Sequence, residues 1–92
     1  MILIGFTQKM GRVDVKSIED YKKRNEIEKV YVFCREEPVE EVEEMAKDYE
    51  IIVTESPRKD AKRLAKELKK QGKKVEVVDL QDFGERAIRD VC

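Results

Sequence analysis

The side chains able to do chemistry in this chain are carboxylates, hydroxyls, thiols and amines, because it contains no histidine. Ser–His and Cys–His nucleophile pairs are thereby excluded, as are imidazole metal sites. The two cysteines, Cys34 and Cys92, are too few and too far apart for a zinc ribbon or a disulfide framework. Cys34 closes an apolar run and reads as a small buried hydrophobe rather than a nucleophile. The densest group of candidate residues is Ile51-Ile52-Val53-Thr54-Glu55-Ser56-Pro57-Arg58-Lys59-Asp60, a short apolar strand, a polar turn and a helix start. Ser56 suits an N-cap and Pro57 the first helical position. The free N–H groups at such a helix start can hold an anion. A second polar group, Thr7-Gln8-Lys9-Met10-Gly11-Arg12-Val13-Asp14, follows the first apolar run.

Several phosphate chemistries fail on spacing. Gly5 and Gly11 are separated by five residues and followed by Arg12 and Val13. A Walker-type loop needs four intervening residues and then Lys and a hydroxyl for magnesium. The three-glycine dinucleotide fingerprint is absent. Gly5-Phe6-Thr7 lacks the paired acids of a receiver domain, and Thr7 alone does not make the hydroxyl-rich loop of a flavodoxin.

The elements that must position these residues follow from periodicity. Ile2-Leu3-Ile4-Gly5-Phe6 reads as a strand buried on both faces. The polar group at residues 7–14 reads as the longest loop, and a helix is expected over residues 15–25, capped by Asp14 or Ser17. Val30-Tyr31-Val32-Phe33-Cys34 is a second strand, rich in β-branched and aromatic residues. Pro38 suits the first turn of a second helix reaching Tyr49, with Val39, Val42, Met45 and Ala46 at helical spacing. Residues 51–54 form a third strand, and a third helix opens on Pro57 after the Ser56 cap and closes before Gly72, which suits the left-handed residue at its end. Residues 75–78 form a fourth strand. Asp79, with Asp82 three residues on, can cap a last helix carrying Leu80, Phe83, Gly84, Ala87, Ile88 and Val91.

Strict alternation of strands and helices implies a parallel sheet covered on both faces. The expected fold is thus a single α/β domain over residues 1–92, three-layered αβα, flavodoxin-like or Rossmann-like. Its four-stranded parallel sheet is expected in the order 2-1-3-4, with right-handed crossovers. That order reverses between the first and third strands, where ligands of open α/β sheets tend to bind. The expected ligand site is therefore Thr7, Gln8, Lys9, Arg12, Thr54, Glu55, Ser56 and Arg58, suited to a small anionic or nucleotide-like molecule. Glu55 opposes a bare phosphate there unless Arg12 or a metal offsets it.

Charge is abundant and unevenly placed. Charged residues make up 45% of the chain against the usual ~25%, with a net charge of −1. The Lys/Glu excess, without Trp or His, is the composition of a thermophile. Residues 35–55 hold nine acids and two bases, and residues 58–74 nine bases and two acids. In the expected order the acidic second helix and the basic third helix share a face and pair with each other. Nucleic acid is not the expected partner, since no aromatic residues are interleaved with the bases for stacking. The second strand would be an edge, too apolar to stay bare, so a homodimer or protein partner is expected through Val30 to Cys34. No apolar run approaches the ~20 residues that span a bilayer. Met1 leads directly into a strand without a signal-peptide pattern, so a cytoplasmic location is expected.

Two resemblances add alternatives. Val53-Thr54-Glu55-Ser56-Pro57 with Lys59 resembles the Glu-Ser-Pro opening of toprim domains in type IA topoisomerases. Asp79-Leu80-Gln81-Asp82, with Gly84-Glu85, is similar to their later acidic signature, although Gln81 replaces the second acid of its Asp-x-Asp pair. The match covers under a fifth of the chain and lacks one strand–helix unit between the motifs. It implies magnesium-dependent phosphoryl transfer or nuclease activity with Glu55, Asp79 and Asp82 as metal ligands. The alternating pattern and the closing strand and helix are also similar to the CRISPR-associated CARF family of ligand-sensing domains. The residues themselves favour a non-catalytic role, with no cofactor, as a ligand-binding domain or a purely structural interaction module.

Overall fold

The computed structural model describes residues 1–82. Strands and helices alternate as β1 (Ile2–Lys9), α1 (Arg12–Arg24), β2 (Lys29–Glu36), α2 (Glu40–Met45), β3 (Glu50–Val53), α3 (Pro57–Lys70) and β4 (Val75–Asp79). Residues 80–82 are helical again. Phe83, Gly84, Glu85, Ala87, Ile88, Val91 and Cys92, which the sequence reading assigns to a last helix or an acidic motif, lie outside the described residues.

All strand pairings are parallel, so the α/β class and the four-stranded parallel sheet are as expected. The order is not: it is β3-β2-β1-β4 rather than 2-1-3-4. The two most apolar strands, β1 and β2, take the two central positions, and both edges fall to shorter strands carrying Glu50 and Glu76. Burial on both faces rewards a continuous apolar run, whereas an edge tolerates charge. The apolar run from Val30 to Cys34 is therefore no edge: all of it pairs with β1, and Tyr31 to Cys34 pair with β3 as well.

The crossovers follow from that order. Helices α1 and α2 lie on one face, where Val15, Ile18, Val42 and Ala46 pack with Leu3, Val30 and Val32. Helix α3 lies on the other, where Ala61 and Ala65 pack with Ile2, Ile4 and Phe33. The acidic α2 and the basic α3 are thus separated by the sheet and do not pair, which overturns the expected side-by-side arrangement.

Local boundaries shift for identifiable reasons. Strand β1 runs on to Lys9, in register with Glu36. The expected eight-residue loop is only Met10 and Gly11, because Met10 is 1% exposed and anchors the turn in the core. Gly11 occupies the N-cap of α1, and its N–H donates to the Asp14 carboxylate at 2.8 Å, so Asp14 sits inside the helix rather than capping it from outside. Ser17 is buried, its hydroxyl donating to the Val13 carbonyl. Helix α2 stops at Met45, short of Tyr49. Its glutamates at positions 40, 41, 43 and 44 repel at i,i+3 and i,i+4, and no base lies in its last turn to offset its dipole. Tyr49 still reaches the core, from the turn into β3.

Candidate functional site

The carboxyl ends of the strands carry most of the predicted site residues, but the sheet order divides them. Thr7, Gln8 and Lys9 end β1, and Arg12 opens α1. Thr54, Glu55, Ser56 and Arg58 follow β3. Strand β2 stands between the two groups, so the eight residues do not converge on one crevice. The expected site rests on neighbouring first and third strands, and it fails with that premise.

Each group is occupied locally. Arg12 pairs with Glu41 across the α1–α2 surface, which draws the Glu41 carboxyl below the usual carboxylate range. Gln8 donates weakly to Glu36 at 3.4 Å. The Thr54 hydroxyl donates to the Asp60 carboxylate and accepts the Ser56 N–H at 3.3 Å, which fixes the turn into α3. Ser56 holds the N-cap position without a side-chain capping bond. Glu55 and Arg58 are exposed.

In the observed order the reversal lies between β1 and β4, where Phe6 is in register with Asp79. Two carboxylates stand there. Asp14 is half-buried; burial raises its pKa, the Gly11 N–H opposes that, and the charge of Asp79 raises it further. Asp79 accepts the Gln81 N–H at 3.1 Å, the local turn role of such a residue. Leu80, fully buried, packs onto Gly5 beside them. A small anion would meet two negative groups and an apolar plug.

The alternative metal set fails on placement. Glu55 follows β3 and Asp79 ends β4, at opposite edges of the sheet. Among the described residues no group of three or more His, Cys, Asp or Glu stands where it could share a metal ion. Cys34 is buried in the central β2, and burial, with the charge of Glu37 adding to it, pushes its thiol up, away from the reactive thiolate.

The other uncommitted chemistry is on α3. Ala61, Leu64, Ala65 and Leu68 face the sheet. The two flanks differ. One carries Asp60, Arg63 and Glu67 over Tyr31, Phe33 and Ile52, towards β3. The other carries Lys62, Lys66, Lys69 and Lys70, which together with Ala65 and Val77 line a groove along β4. None of the nine bases in residues 58–74 makes an ion pair with the described residues. The four ion pairs of the described residues lie elsewhere: Met1 with Glu28, Arg12 with Glu41, Lys22 with Glu19, and Lys29 with Glu50. The sequence pattern contained this stripe, since Lys62, Lys66 and Lys69 recur at helical spacing. Expected pairing with α2 concealed it.

No helix among the described residues is long and apolar enough to cross a membrane. Comparison with known proteins returns no matching family model, no matching curated protein and no matching solved structure.

Proposed function

We propose that this chain is a non-catalytic protein-interaction domain that docks an acidic partner on the lysine flank of α3. The observation that carries the reading is the separation of α2 and α3 by the sheet, which leaves the lysines beside Val77 without counter-ions among the described residues. Clustered like charges on one flank repel each other, and an acidic partner relieves that repulsion while steering its own approach. Half-covered Val77 and the aliphatic stems of the lysines give such a partner apolar surface to bury beside the charges.

A protein partner fits better than nucleic acid. The bases of residues 58–74 carry no interleaved aromatic rings on which the nucleobases of a single strand could stack.

The test is titration with polyglutamate and, in parallel, a single-stranded oligonucleotide, at low and moderate salt. The expected result is polyglutamate binding that weakens with salt and is lost in the Lys62→Glu/Lys66→Glu double variant, with the thermal midpoint unchanged. Absence of polyglutamate binding at low salt, or tighter binding of the oligonucleotide, overturns the reading.

A further inference from the structure

The lysine flank lies beside β4, a sheet edge among the described residues. Strand β4 pairs with β1 on one side, and among the described residues no strand pairs with it on the other. Its backbone N–H and C=O groups on that side are a template for another strand. Val75 and Val77 point to the α3 face and are only half-covered; Glu76 is exposed and Val78 packs with the cluster on the α1 face. Four lysines of α3 line the groove with Val77, on the same edge strand.

The geometry points to strand addition at β4: an extended segment of an acidic partner protein joins the sheet as a fifth strand, with a carboxylate at every second position. This inference rests on the reading of α3 as the face for an acidic partner, and adds the mode of binding and the sequence pattern of what binds. In a strand, alternate side chains share a face. Carboxylates on the α3 side of an added strand stand beside Val75 and Val77, beneath the lysines. The residues between them stand beside Glu76, where further acids are repelled and apolar ones are accepted. Backbone hydrogen bonds supply affinity and the alternation supplies selectivity. The same lysines argue against a second copy of this chain at this edge. Pairing β4 with β4 across a two-fold axis brings two lysine flanks together, and like charges held together cost affinity.

The experiment uses the full chain and three probes: a short peptide alternating glutamate with valine, the same peptide N-methylated at alternate amides, and a single-stranded oligonucleotide. Calorimetry reads affinity and amide hydrogen exchange reads β4. The expected result is that the alternating peptide binds, slows exchange in β4, and loses about tenfold in affinity on N-methylation, because that change removes strand pairing and keeps the charges. Lys62→Glu/Lys66→Glu abolishes binding of both peptides. Equal binding of the two peptides with unchanged β4 exchange overturns strand addition and leaves the acidic-partner reading standing. Failure of both peptides and of polyglutamate overturns both, as does preferential binding of the oligonucleotide.

Discussion

Gly5 and Leu80 occupy one another's space: a methyl group at Gly5 would lie 2.8 Å from both Cγ and Cδ2 of Leu80. Gly5 is in register with Val78, and Leu80 follows two residues on, so the chain leaving β4 folds back onto the centre of β1. The missing side chain is what lets Leu80 become fully buried. Gly5→Ala is expected to destabilise the protein by about 1–3 kcal/mol, the usual cost of overpacking. Leu80→Ala alone is expected to cost about 2–5 kcal/mol through the cavity it leaves. The double variant is expected to cost less than the two together, since a smaller residue at position 80 makes room for the methyl group. Urea denaturation of the four proteins checks this. Strict additivity would show that the two sites do not share space.

Alkaline pH is expected to loosen the α1 face. The Tyr49 hydroxyl donates to the Glu19 carboxylate, and its pKa is pushed up by burial first, then by the hydrogen bond and charge of Glu19, and by Asp48. Tyr21 donates to Glu76 and is pushed up to about 12, again by burial first and then by Glu76. An unfolded tyrosine ionises at ~10, so above that pH the folded state holds protons that the unfolded chain has lost. The stabilisation is complete below ~10 and drains away as pH rises from there, for Tyr21 through about 12. Urea midpoints between pH ~9 and ~11 should fall, and Tyr49→Phe should flatten the fall. Identical slopes in the two proteins would remove Tyr49 from the account.

Cys34 is fully buried in β2, and burial pushes its thiol above the ordinary value. In a Cys92→Ser protein, which isolates it, reaction with an aromatic disulfide is expected only through opening of the structure. Modification in native buffer should be slower than in denaturing urea by roughly 10³-fold or more. Comparable rates would place the thiol at the surface.

The class of the fold was legible because each strand and helix carries its own period. The apolar runs of β1 and β2 and the Ala61, Leu64, Ala65, Leu68 stripe of α3 were readable without the structure. The sheet order was not, because right-handed crossovers permit both 2-1-3-4 and 3-2-1-4. The deciding signal was nonetheless present: Val30 to Cys34 is too apolar for an edge, which argues for moving the strand inward as well as for covering it. One misplaced strand then relocated the site. It joined Thr7 to Thr54 across a neighbour that does not exist, and it paired α2 with α3, masking the lysine flank. Met10 misled for a different reason. A single apolar residue in a polar stretch reads as loop, yet it is the residue that shortens the turn.

Glu44→Lys is expected to stabilise the protein. It removes the repulsion of Glu44 with Glu40 and Glu41, gives Glu40 a lysine partner four residues on in the favourable orientation, and places a cation near the carboxyl end of α2. Each effect is a few tenths of a kcal/mol, so a gain of about 0.5–1 kcal/mol in urea denaturation is expected. A loss would mean that Glu44 holds a partner within the chain that outweighs its repulsion with Glu40 and Glu41.

Hydrogen exchange separates the two sheet orders directly. With β3-β2-β1-β4, the amides of residues 2–6 of β1 and 31–34 of β2 lie on stretches paired on both sides inside the sheet and covered on each face. They are expected to exchange only through the largest openings, which cost nearly the full unfolding free energy. Among the described residues, β3 and β4 each have one unpaired backbone edge and half-covered side chains, so their outward amides are expected to exchange through small local openings. The discriminating amides are those of Val32 and Cys34, on the side of β2 that faces β3. Were β2 an edge, an alternating half of its amides would exchange as fast as those of β3; at its observed position none should. Uniform protection of residues 31–34 with alternating protection along β3 supports the observed order, and the reverse would restore the first and third strands as neighbours and, with them, the crevice between Thr7 and Thr54.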